Sequence, residues 1–244
     1  MSTTLSTQPT TPAVSRPPRD LRRTTRILAA VAIVLGPVLV TVLRAILPYW
    51  TNEDPATSIE KIAASPGAIS AVNWISVISY PFLLAGALAV GYAARRRTPL
   101  LALVSSLVLF GGLGLASMVG GSDLVAEVMT RGGYDNAVTA DVTLRYMEHP
   151  AGLFGLLGFV LGHIVGMILV GITAVRARLV PVWVGAAIIV AQPVHVIASV
   201  IVPNRALDVV AGWGLTAVGF AFIALAVLRM DDDEWDAPPA VSPR

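Results

Sequence analysis

Six long apolar runs decide what this chain can become, because each is close to the roughly 20 residues that a helix needs to cross the hydrocarbon core of a bilayer. They lie at about 27 to 48, 70 to 93, 99 to 121, 151 to 174, 180 to 202 and 208 to 228. The expected fold is an all-α membrane protein, a six-transmembrane-helix bundle. Composition agrees: only 13% of the residues are charged, about half the quarter that a water-facing globule carries. The chain has no cysteine, which excludes disulfide scaffolds, thiolate metal sites and cysteine nucleophiles.

Charge then orients the spans. With the N-terminus inside, twelve basic residues fall on the cytoplasmic side, among them Arg95, Arg96, Arg97, Arg176 and Arg178, and five on the outer side (Arg44, Lys61, Arg131, Arg145, Arg205). That asymmetry is the positive-inside bias and predicts that both termini are cytoplasmic. Nine acids lie outside against six inside. These arginines orient helices, so the basic balance calls for no nucleic-acid partner. Sixteen arginines against one lysine point to a high-GC bacterial genome, hence a bacterial plasma membrane.

Residues 1 to 26, rich in Thr, Ser, Pro and Arg, read as a disordered cytoplasmic arm. Residues 27 to 229 form the membrane domain, and residues 230 to 244, which begin with the acidic run Asp231 to Glu234, read as a disordered tail. The short Arg95 to Pro99 and Arg176 to Pro181 turns make spans two and three, and four and five, antiparallel neighbours. The outer loop 122 to 150 reads as two short amphipathic helices over the outer mouth. Ser122 would cap the first, and Asp141 and Arg145 would pair at i, i+4 on the second.

Few polar groups enter the apolar spans, and each is informative because it is expensive there. On span two, Asn73, Ser76 and Tyr80 are spaced i, i+3, i+7; on span five, Gln192, His195 and Ser199 repeat that spacing. Each stripe sits beside a proline, Pro81 or Pro193, that loosens the helix. Two readings follow. The stripes either line an outward-facing polar pocket with Arg44 at its mouth, or they hydrogen-bond to neighbouring helices. Arg44 is otherwise expected to snorkel outward. No carboxylate falls in the middle of any span by this count, which argues against coupling to protons or sodium.

Counting rises along the helices puts His163 about 18 Å and His195 about 10 Å below the outer surface. That mismatch disfavours a haem held by both, although haem remains the one cofactor considered. Gln192 is closer in level to His163, so a His163–Gln192 hydrogen bond is expected as a structural polar pair. Glu148 and His149 point apart on a helix and do not make a metal site with His195. Gly155, Gly158, Gly162 and Gly166 form a small-residue face on span four, fit for a neighbouring helix, a second copy or another membrane partner. Arg205 and Asp208 are expected to pair locally in an outer turn.

The run Glu148-His149-Pro150-Ala151-Gly152-Leu153-Phe154-Gly155, the segment Gln192-Pro193-Val194-His195 and the turn Pro203-Asn204-Arg205-Ala206-Leu207-Asp208 resemble uncharacterised six-span integral membrane proteins of high-GC Gram-positive bacteria. The resemblance implies a fold and no activity. The residues themselves suggest binding or passage of a small, largely apolar solute at Asn73, Ser76, Tyr80, Gln192, His195, Ser199 and Arg44. The alternatives are a membrane-embedded enzyme, using haem or acting on a lipophilic substrate, and an accessory subunit of a membrane complex.

Overall fold

A computed structural model describes residues 20–236 and Pro238. The described residues are helical throughout their regular structure, with no strand among them. Six helices are long and apolar enough to cross a membrane: Arg22–Ile46, Pro66–Ala94, Pro99–Arg131, Pro150–Arg176, Val182–Ile201 and Arg205–Arg229. The chain is a six-span all-α membrane protein.

The punctuation follows from local chemistry. Proline opens α2 (Pro55–Ala64), α3 (Pro66–Ala94), α4 (Pro99–Arg131) and α6 (Pro150–Arg176), at the position where its missing N–H would have had no helical partner. Asp54 accepts the Thr57 amide at 3.0 Å to cap α2, and Asp135 caps α5 (Asn136–Glu148) through the Ala137 and Val138 amides. Gly133, at φ 76°, turns the chain between α4 and α5 in a conformation that favours glycine.

Successive spans are neighbours, and α1 (Arg22–Ile46) closes the ring by packing on α9 (Leu215–Arg229). Between them, α3 packs on α1 and α4, α4 on α6, and α6 on α7 (Val182–Val196). Ile33, Leu109, Met167, Ile188 and Ile223 fill the centre and are fully buried. The outer surface stays apolar, with Leu107 57%, Leu161 64% and Val210 70% exposed. Only lipid makes such a belt inexpensive.

The closest helix pair is α4 with α6. A methyl group on Gly112 would lie 2.4 Å from the Gly162 carbonyl carbon, and one on Gly166 would lie 2.6 Å from the Leu109 Cα. Gly155 and Gly158 face the Met118 and Leu115 side chains. Of the partners expected for the small-residue face, the one it meets here is the neighbouring helix α4 of the same chain.

Several boundaries differ from expectation. α4 runs unbroken for 33 residues, about 50 Å at 1.5 Å per residue, so its last turns extend past a hydrocarbon core about 30 Å thick. Ser122 does not start a helix; its hydroxyl donates back to the Val119 carbonyl at 2.7 Å within α4. The second expected outer helix is present as α5, with Arg145 Nε to Asp141 Oδ2 at 2.7 Å. The first outer loop holds an unexpected helix, α2.

At the opposite end, α1 begins at Arg22, inside the expected arm; the rest of that arm, residues 1–19, lies outside the described residues. The expected disordered tail opens with a helical turn, Asp232–Asp236 (α10), whose Trp235 is buried and donates to Thr25 Oγ1 at 3.2 Å. Arg26 holds Asp232 at 2.7 Å. Most of the tail after residue 236 lies outside the described residues.

Candidate functional site

Pro193 lacks the N–H that an α-helix needs, and beyond it α7 passes into a π-helical segment, Ile197–Ile201. After the Pro203-Asn204 turn the chain restarts with α8 (Arg205–Leu207), whose Leu207 amide is capped by Asn204 at 2.9 Å. The next seven residues, Asp208–Gly214, are again π-helical and lead into α9. Widened turns of this kind concentrate at functional positions. Here two of them meet.

Between them lies a buried charge cluster. Arg44, near the end of α1, sends Nε to Asp208 Oδ2 at 2.6 Å, Nη2 to Ser199 Oγ at 3.2 Å and Nη1 to Thr51 Oγ1 at 3.0 Å. The other Asp208 oxygen takes His195 Nδ1 at 2.5 Å. Asp208 is completely buried, and the Arg44 and His195 side chains are only 11% and 16% exposed. Trp50 stacks over the guanidinium at 4.4 Å and anchors its own indole N–H on the Ala198 carbonyl at 3.3 Å. Gly212 lets the second π-helical segment approach α7 at His195, since a methyl group there would stand 3.2 Å from the His195 Cβ and 2.8 Å from Asp208 Oδ1.

The cluster does not have the geometry of a nucleophile relay. A relay places hydroxyl and acid on opposite imidazole nitrogens. Here Ser199 Oγ, at 3.2 Å, and Asp208 share His195 Nδ1. What the arrangement supplies is a guanidinium and an imidazole held by one carboxylate, next to the indoles of Trp50 and Trp213, the latter 5.6 Å from the His195 ring.

His163 lies beside it. Its ring stacks on Phe159 with centroids 4.4 Å apart and stands 5.8 Å from the His195 ring and 6.1 Å from Trp213. Its Nδ1 donates to the Phe159 carbonyl at 2.7 Å, which leaves Nε2 buried without a partner.

The expected site residues thus separate into three groups. Gln192 does not bond to His163; its amide donates to Thr216 Oγ1 at 3.1 Å and to the Ile188 carbonyl at 3.3 Å. The α3 stripe faces α4 and not α7: Asn73 Nδ2 meets Glu127 Oε2 at 2.7 Å, and the Tyr80 hydroxyl donates to the Ala116 carbonyl at 3.0 Å. Ser76 is buried and its carbonyl accepts the Ser79 hydroxyl at 2.9 Å. The anticipated pocket between spans two and five is therefore absent, since its two walls turn to different neighbours. Arg44, His195 and Ser199 do come together, and Arg44 points inward and does not snorkel.

Asp208 was missed. The expected local pair with Arg205 does not form: Arg205 reaches the Tyr49 carbonyl at 3.4 Å and stands over Trp50. The signal that could have found it is Arg44 itself, a guanidinium in an apolar span that needs a carboxylate at its own depth. A second acidic-end pair was also missed, Tyr49 with Asp123 at 2.5 Å. Burial, reinforced by the Asp123 charge and this bond, holds the Tyr49 phenol well above its ordinary value.

Compared with family models, with curated proteins and with solved structures, the chain matches none. Fold and site together define a class: a multi-pass helical membrane protein with a charged cluster enclosed at one end of its bundle.

Proposed function

We propose that this membrane protein binds or passes a small, largely apolar solute bearing one acidic or hydrogen-bonding group, and that it does so at the Arg44–Asp208–His195–Ser199 cluster. In this reading the acidic end of the bundle faces outward and the termini lie in the cytoplasm, the orientation that the arginine distribution favours. The observation that carries the reading is the enclosure of Arg44, Asp208 and His195 between two π-helical segments. Apolar residues of similar volume would pack there with comparable stability, so a buried ion pair argues for a role other than holding the fold. Ionisable groups inside membrane spans typically mark the path of a substrate or ion.

The chemistry follows from the partners. An incoming acidic group competes with Asp208 for the Arg44 guanidinium, and Asp208 keeps the His195 Nδ1–H while it is displaced. Trp50 and Trp213 offer flat apolar surface to the remainder of the solute.

The absence of cysteine permits a direct test. A single thiol introduced as S199C is treated in sealed vesicles with a membrane-impermeant, sulfonate-bearing methanethiosulfonate supplied on the side of the acidic loops. I223C, in the closed core, and L207C, in the exposed turn, serve as the silent and reactive references. Modification of S199C that is slowed by small aromatic carboxylates supports the reading. S199C as silent as I223C overturns it.

A further inference from the structure

The opposite end of the bundle holds four arginines from two hairpins around one recess. Arg96 and Arg97 come from the α3–α4 turn and Arg176 and Arg178 from the α6–α7 turn, and together they line a cavity of about 530 Å³. All four are exposed, while Ala94, Ala102 and Ala177, close to them in sequence, are buried and pack together. The tight α4–α6 contact at Gly112 and Gly162 draws the two turns together. Arg97 ties them with a bond from Nη1 to the Ala177 carbonyl at 3.0 Å. Arg178 is held at φ 56°, a left-handed conformation that an arginine rarely adopts. Orienting charges need only lie on the correct side of the membrane. These four also converge.

We propose that this recess binds a phosphate-bearing anion, foremost the headgroup of an anionic phospholipid in the same leaflet. Planar guanidinium forks match phosphate oxygens two at a time, and basic recesses between spans on the cytoplasmic side suit diphosphate headgroups. The recess lies at the ends of the spanning helices α3 and α6, so the acyl chains of a bound lipid would run down the apolar outer surface of α4 and α6. The Glu234 carboxylate, 3.5 Å from Arg97 Nη2, is the internal anion nearest the site and competes for it. This inference does not depend on the solute reading at the other end.

Native mass spectrometry of the full chain in neutral detergent, with cardiolipin, phosphatidylglycerol or phosphatidylcholine added, provides the test. Cardiolipin should be retained in preference to phosphatidylcholine, R97Q/R178Q should weaken that retention about thirtyfold, and E234Q should strengthen it. If millimolar inorganic phosphate displaces the lipid and raises the Tm of the wild type but not of R97Q/R178Q, the phosphate site stands and its natural occupant is soluble. Equal cardiolipin retention by wild type and variant, with no phosphate effect on either, overturns it. Should R97Q/R178Q fail to insert, hydrogen exchange of the wild type decides: amides from Arg97 to Thr98 and Arg178 to Leu179 slow in cardiolipin nanodiscs relative to phosphatidylcholine ones, and unchanged exchange overturns the site.

Discussion

Arg44 and Asp208 are 164 residues apart in sequence and 2.6 Å apart in space. Their pairing joins the end of the first span to the start of the last and closes the helical ring at its acidic end. Asp208 also fixes His195, so one carboxylate sets the positions of two groups that would otherwise carry unbalanced charge or an unpaired N–H in an apolar surrounding.

Breaking this pair from one side should therefore be worse than removing it altogether. R44M leaves Asp208 buried with only His195, and D208L leaves a guanidinium with hydroxyl partners alone. Each should destabilise by about 3–5 kcal/mol, while R44M/D208L should recover most of the loss. Thermal unfolding of the purified variants in one detergent checks this. Single variants with wild-type Tm would mean that water already screens the charges.

The α4–α6 contact yields a contrast within one helix. A methyl group on Gly112 would stand 2.4 Å from the Gly162 carbonyl carbon, whereas one on Gly111 meets nothing within 4 Å. G112A must push two backbones apart and should destabilise by about 1–3 kcal/mol. G111A should be neutral or stabilising by up to about 1 kcal/mol, since alanine is the better helix former. Equal Tm shifts for the two would show that α4 and α6 do not touch at this register.

How far the sequence reveals this molecule depends on which physical quantity a feature needs. Span number and the antiparallel neighbours follow from apolar length and turn length, and the Asp141–Arg145 pair follows from helical spacing alone. The polar stripes were visible as well, but their targets depend on the order of helices around the ring, which no local spacing encodes. Gln192 and His163 were matched by depth; rotation about the helix axes sends Gln192 to Thr216 instead. Asp208 was hidden by a boundary. The Pro-Asn-Arg turn puts Asp208 at the mouth of an expected span that begins only there, whereas the helix restarts at Arg205 and carries the carboxylate inside.

The acidic-end helix α2 should respond to pH through its cap. Asp54 accepts bonds from the Thr57 amide and hydroxyl, and these hold its carboxyl below the ordinary value. A carboxylate with a depressed folded value stabilises above its unfolded value, about 3.9, and that stabilisation disappears as pH falls through the folded one. Exchange protection of the Thr57 and Ser58 amides should thus fall as the pH drops below about 3.9 and through the depressed folded value. D54N should keep a cap without that pH dependence, and D54A should lose the cap at every pH. Identical pH profiles for wild type and D54N would remove Asp54 as the cause.

His163 is the residue whose replacement is expected to help the fold. Its Nε2 is buried with no partner, an arrangement that costs about 1–3 kcal/mol, while its Nδ1 bond to the Phe159 carbonyl returns about 1 kcal/mol. Phenylalanine keeps the flat ring stacked between Phe159 and Trp213 and removes both polar atoms. H163F should therefore match or exceed the wild-type Tm. The free nitrogen belongs to a ring packed against His195, so the same variant should alter how fast the S199C thiol reacts when the two are combined. A Tm drop of several degrees in H163F alone would instead mean that a bound water satisfies Nε2 and that this imidazole is a structural element of the core.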